Sequence, residues 1–506
     1  MTQTMTKIDR RAMIAASGAA LLLPSALGAQ SLIGNRPAPF SWERLVAQAQ
    51  QLTRTPFKET PAHPGAAKVD YIAQHEARFR DERTLWGDLP GDTGIRFFPL
   101  SQYSTQPVTI ATVDNGRATP LRYDPDMFDA PAGNAVKALG PDAGFAGFRI
   151  MNAARDGDWL SFLGASYFRA PSPQKQFGLS ARAIAINTSL GKEEFPRFTH
   201  FWLERTGEHG VTIYALLDGA SITGAYRFVS SLGADGVHQD VTAALFPRRP
   251  IEELGLMAMT SMFWYDQANR GKGTDWRPEI HDSDILSIAS ADGTAHARPI
   301  INPPNPLVSA FAERDPKGFG LVQRDRDFDH YQDDGVYYDR RPTLWATPTR
   351  ALGQGQVRLY SFPTDSEYTD NVVAYWTPEA AAVPGRRIDA SYRVDWSAAR
   401  APASAALGQK VAIVENVWRG RGDEEGSDRL VVDFAGVADG AKPDIWTDIS
   451  AGTMLKTAGY PVLGQPGLYR MVLDLRREGT GLTDIRAQLR LGGRAISEYL
   501  HYPVGP

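Results

Sequence analysis

From about residue 95 onward the chain is divided into short runs, among them "IRFFPL", "VTIATV", "FAGFRIM", "ARAIAIN", "FTHFWLER", "VTIYALLD", "GAYRFVSS" and "VRLYSF". Many alternate apolar and polar residues, the period of a strand with one buried face. The runs follow one another too closely for the crossover helices of a parallel sheet, so they predict a large antiparallel β-sandwich. The 47 glycines and 35 prolines supply the turns such a fold needs. At 506 residues the chain exceeds one ordinary core, and two domains are expected. Helical spacing is confined to the start, over residues 40–52 and again within "VDYIAQHEARFRDERTLW".

A boundary is predicted at 377–386, where two prolines, three alanines and a glycine read as a linker. This gives a first sandwich over 38–376 and a second domain over 387–506. The second carries the runs "ASYRVDW", "KVAIVENVW", "RLVVDFAG", "YRMVLDLRR" and "IRAQLRLG", whose number and spacing suit an immunoglobulin-like sandwich. Residues 1–29 read as a signal peptide, with Arg10 and Arg11 ahead of an apolar run too short to span a bilayer comfortably. The arginine pair favours the twin-arginine route, and a Sec leader is the alternative. Either route leads to the periplasm. No other segment has the length and hydrophobicity of a transmembrane helix.

The net charge of −4 and the interspersed signs leave no basic footprint for nucleic acid. The absence of cysteine removes thiolate nucleophiles and cysteine-ligated metals. No G-x-S-x-G elbow and no phosphate-cradling glycine motif is present. His281 has no second histidine at a ligand spacing, and "DSDILS" lacks the ligand order of a calcium loop, so neither a metal nor a cofactor is expected. Carboxylates remain. Cleavage of a glycosidic bond needs one acid to protonate the leaving oxygen and a second group to activate water or attack the anomeric carbon. Two acidic constellations qualify, "DWRPEIHDSD" at 275–284 and "PTDSEYTDNVVAYW" at 363–376. Between them lies a segment dense in Asp, Arg and Tyr. A set of polar turns paired among themselves accounts for the composition equally well.

The segments "SARAIAINT", "GKEEFPRFTHFWLER" and "FGLVQRDRDFDHYQDDGVYYDRRPTLW" resemble the OpgG/OpgD (MdoG) family of periplasmic glucan biosynthesis proteins, and the leader resembles its D branch. The resemblance covers essentially the whole mature chain. It implies a galactose-mutarotase-like β-sandwich followed by an immunoglobulin-like one, an all-β fold. It also implies work on periplasmic glucans with a β-1,2-linked glucose backbone, by inverting hydrolysis or by transfer. A non-catalytic scaffold that holds glucan for a membrane glucan synthase is the alternative. On the family pattern Asp370 matches the general acid and Asp282 the general base. Glu367 is expected as a supporting carboxylate that raises the pKa of Asp370. Substrate contacts are expected from Tyr338, Arg340, Trp264, Trp276 and Asp284, whereas Asp275, Glu279 and His281 read as structural neighbours. One departure stands out: Ile285 follows "HDSD" where a glycine is expected.

Overall fold

The strands Arg197–Arg205, Gly210–Asp218, Ile222–Gly233 and Gly236–Pro247 pair antiparallel in sequence order; the first is buried mainly on one face, while the second is buried on both. The computed structural model describes residues 37–505, so the leader at 1–29 lies outside the described residues. The four strands belong to a sheet of 16 strands, and a sheet of ten packs across from them. Aromatic side chains from both meet between the layers: Phe148 lies edge-on to Phe201 at 5.2 Å, and Phe162 to Phe228 at the same distance. The all-β class expected from the alternation is the class observed.

The helix Trp42–Leu52 matches the spacing at 40–52. Ser41 caps it by accepting from the Arg44 amide at 3.3 Å. Leu45 and Ala49 cover the outer face of the large sheet at Leu216, Ala225 and Phe246. The second helix is only Tyr71–Glu76. The chain leaves it to pair Arg78–Phe79 with Phe128–Asp129, which buries Phe79.

The boundary at 377–386 needs correction. Thr377 and Pro378 still belong to the strand Val372–Pro378 of the ten-stranded sheet, and Ala382 is buried and bridged to Ile251. The strand that follows, Ile388–Ser397, lies inside the large sheet between Gly236–Pro247 and Thr343–Pro348. The segment 379–387 therefore crosses from one sheet of the first sandwich to the other. Trp396 packs in the first core and Ala412 in the second, so the core divides between them. Beyond that point Ile413–Arg421, Asp428–Ala435, Leu468–Arg476 and Thr453–Pro461 form a four-stranded sheet. It faces Asp444–Ile449, Thr483–Leu491 and Tyr499–Val504 across the second core. Those three strands are themselves an extension of the 16-stranded sheet, through parallel pairing of Tyr499–Val504 with Ala295–Pro299. The two sandwiches thus share one continuous sheet.

Candidate active site

Two strands of the ten-stranded sheet, Leu254–Ser261 and Val372–Pro378, run antiparallel and end together. Asp282 and Asp370 lie just beyond those ends. The Asp282 amide donates to the Met262 carbonyl at 2.8 Å. Asn371, fully buried, fastens the neighbouring loop: its Oδ1 accepts from the Phe263 amide at 2.9 Å, and its Nδ2 donates to the carbonyls of Phe263 and Phe362. Segments 108 residues apart in sequence are thereby held side by side.

Asp282 is 7% exposed and has Arg341 Nε at 3.0 Å from its Oδ1, a charge contact without the alignment of a hydrogen bond. Gly178 completes the crevice. A Cβ there would stand 2.9 Å from both Asp282 Oδ1 and Arg341 Cδ, so only glycine leaves the carboxylate its place. Burial pushes the pKa of Asp282 up to about 6; Arg341 opposes the rise, and the charges of Asp370 and Glu367 add to it. Asp370 is exposed to solvent, yet the protein around it displaces enough water to raise its pKa, against the pull of Arg182 and Arg169. The two aspartates are thus electrostatically coupled, one buried and one open.

Glu367 behaves differently from the sequence expectation. Arg277 grips it with two hydrogen bonds of 3.0 Å, and the Tyr338 hydroxyl donates to it at 2.6 Å. Burial alone would raise its pKa, but these donors outweigh it and hold Glu367 below the ordinary glutamate value. It is an ionised member of a cluster in which Arg277 also meets Asp275 and Asp333. Its charge bears on Asp282, and it is not among the groups that shift Asp370.

The expected substrate contacts separate into two groups. Trp276 is 68% exposed beside the Arg277–Glu367 bridge and is free to stack. Trp264 and Tyr338 are buried in a small, largely aromatic cluster with Met262, Tyr265, Ile280 and Tyr331, which leaves little of either side chain open to solvent. Arg340 pairs with Asp339 and covers the Tyr337 ring. Its neighbour Arg341 is the arginine that reaches Asp282, and it also lies over the Tyr338 ring at 4.7 Å. Asp284 accepts the amides of Arg324 and Asp325 at 2.8 Å each and so anchors a loop. Ile285 opens the buried strand Ile285–Ala289, which is why no glycine turn stands there. His281 and Glu279 are buried partners at 3.0 Å; burial lowers the histidine pKa, and Glu279 overrides that and carries it up to about 9.

Several site residues carried no sequence signal. Arg341 is adjacent to the arginine chosen, and nothing in the spacing separates the two. Tyr368, 89% exposed between Glu367 and Asp370, presents a second open ring. Gly178, Asn371 and Arg182 come from runs that read as ordinary strand and turn.

Compared with known proteins, the chain matches the family model described as "Periplasmic glucan biosynthesis protein, MdoG" over residues 40–504. It is 40% identical to Glucans biosynthesis protein D 2 of Ralstonia nicotianae, over 98% of each chain. It is 39% identical to Glucans biosynthesis protein D of Xanthomonas campestris, over 98% of this chain and 96% of that one. Among solved structures, a galactose mutarotase related enzyme from Lactobacillus acidophilus aligns with 46% of this chain at 9% identity, with a TM-score of 0.20 too low to bear on the argument. On the family match and these relatives, the chain belongs to the MdoG family of periplasmic glucan biosynthesis proteins.

Proposed function

We propose that this member of a glucan biosynthesis family acts in the periplasm as an inverting enzyme on the β-1,2-linked glucose backbone, with Asp370 as general acid and Asp282 as general base. The observation that carries the reading is the coupled pair: a buried aspartate with pKa about 6 against Arg341, and an open aspartate with a raised pKa. Raised carboxyl pKa values suit proton transfer near neutral pH. In the reaction Asp370 gives its proton to the glycosidic oxygen as the C1–O bond breaks. A water or a glucan hydroxyl attacks C1 from the opposite face, and its proton passes to Asp282, directly or through an intervening hydroxyl. Trp276 and Tyr368 offer apolar rings to the pyranose faces. Arg341 keeps Asp282 ionised, Glu367 opposes it, and Tyr338 and Arg277 hold Glu367 in place.

The test is incubation of the purified mature chain with linear β-1,2-glucan. Products are separated by size, and the anomer released first is read by proton NMR. Shortened or redistributed chains with the α-anomer appearing first support the reading. The β-anomer appearing first would replace it with a retaining mechanism. Glucan bound but never altered would favour a scaffold that presents glucan to a membrane synthase, the role for which the exposed rings alone suffice.

A further inference from the structure

His281 and Asp284, which flank Asp282 in sequence, line a small, partly open cavity of about 40 Å³. Five carboxylates line it: Asp266, Glu279, Asp284, Asp325 and Glu415. Four come from the first sandwich and Glu415 from the strand Ile413–Arg421 of the second. Among the described residues no lysine or arginine lines this cavity, and its one basic group, His281, is already paired with Glu279. Donor atoms of Glu279, Asp325 and His330 lie within 4.8 Å of one another. Glu279 is 2% exposed, and while its Oε2 meets His281, its Oε1 has no hydrogen-bond partner. Asp284 Oδ1 and Glu415 Oε2 are likewise buried without a partner.

Burying a carboxylate oxygen with nothing to donate to it costs more than the chain needs to spend on a merely structural cluster. Three such oxygens around one small space of acidic lining call for a positive charge inside it. Water supplies two protons and could satisfy one pair of these oxygens, but it leaves the third without a partner. The volume admits one ion with one or two waters. Two carboxylates and an imidazole are the donor set of a borderline first-row divalent cation, softer than the all-oxygen sets that magnesium and calcium prefer.

We propose that Glu279, Asp325 and His330 bind a first-row divalent cation of the zinc type at the junction of the two sandwiches. The site stands apart from the glucan reading and holds whether or not glucan is cut. His330 Nδ1 and Asp325 Oδ2 are now joined at 2.6 Å, and the cation takes the place of the proton between them. The bound ion ties two segments together, the strand Ile280–His281 that leads into Asp282 and the loop 324–333 that precedes Arg341, and it lies in a cavity that Glu415 of the second sandwich helps to line. Its role is to fix the wall that carries Asp282.

The experiment uses the full mature chain, stripped with a chelator and dialysed. Zinc is titrated in by calorimetry and by thermal unfolding, with magnesium in parallel. The expected result is one zinc bound per chain, a higher Tm with zinc than with magnesium, and loss of both effects in His330→Ala. Removing a ligand costs at least as much as losing an outer partner, so affinity should fall roughly 10- to 100-fold or more. His330 is half-buried in a four-residue helix, so its removal leaves the fold intact; Glu279→Gln is the second variant, checked by circular dichroism. Absence of stoichiometric zinc binding to the parent overturns the proposal. So does zinc affinity unchanged in His330→Ala, which would locate the metal elsewhere.

Discussion

The ionised form of Asp282 is favoured by two neighbours, Arg341 and His281, and opposed by two, Asp370 and Glu367. As a base Asp282 must be ionised, so kcat/KM on β-1,2-glucan is expected to fall as pH drops through about 6. Arg341→Gln should move that acidic limb to higher pH, and Glu367→Gln should move it to lower pH. A pH–rate profile for each variant checks the pair; limbs that move together in one direction would contradict the assignment. Asp370→Asn and Asp282→Asn should each lower kcat by about 10²- to 10⁴-fold while glucan affinity, read by calorimetry, stays within a few-fold.

The same carboxylate costs stability. Its folded pKa lies above the ordinary aspartate value, so the folded state binds a proton more tightly than the unfolded chain does. The stability this adds is fully present below the unfolded pKa near 4 and is lost as pH rises through about 6. The rise corresponds to on the order of 3 kcal/mol for this buried group. Asp282→Asn should therefore unfold at a higher denaturant concentration than the parent at pH 8, with the advantage shrinking toward pH 4. Inactivity together with added stability would mark a group kept for chemistry.

At the scale of elements, the strands were legible and their partners were not. Alternation in "FTHFWLER" announces a half-buried strand, because period two is written locally, and the apolar run of "VTIYALLD" suits a strand buried on both faces. That Ile388–Ser397 slots between Gly236–Pro247 and Thr343–Pro348 is written nowhere near it. A loop rich in Pro, Ala and Gly looks alike whether it joins two sheets or two domains, which is why 377–386 read as a linker. The candidate site divides the same way. Asp282, Asp370 and Glu367 belong to distinctive acidic runs, but Asn371 matters only because it meets Phe263, 108 residues away. Its two amide ends replace strand pairing where the sheet ends. Asn371→Ala leaves the Phe263 amide and carbonyl buried and unsatisfied, at about 1–3 kcal/mol each. Expected outcomes are a lower midpoint in urea and a kcat loss larger than the rise in KM. Trp276→Ala and Tyr368→Ala touch exposed rings and should do the reverse, raising KM with Tm unchanged.

For the whole molecule, what decides behaviour is that the two sandwiches share a sheet and a buried ion pair. Arg324 leaves the strand Gly318–Val322 and meets Glu498, ahead of the last strand, through two hydrogen bonds of 2.6 Å; both side chains are wholly buried. Arg324 also donates to the Val414 carbonyl at 2.6 Å, and Glu498 accepts the Val414 amide at 2.9 Å. The pair therefore spans the division between the cores, and Arg324 itself begins the loop that Asp284 anchors. Removing one partner strands a charge in the interior, which typically costs about 3–5 kcal/mol. Glu498→Ala should lower the unfolding midpoint of both sandwiches together, and calorimetry should show one transition in the parent and one in the variant. Two resolved transitions in the parent would mean that the shared sheet does not couple them. A fragment ending at residue 386 should fail to fold even though it carries both aspartates, because it lacks the strand Ile388–Ser397 from the middle of the large sheet. A soluble, glucan-binding fragment of that length would show that the first sandwich closes without this strand.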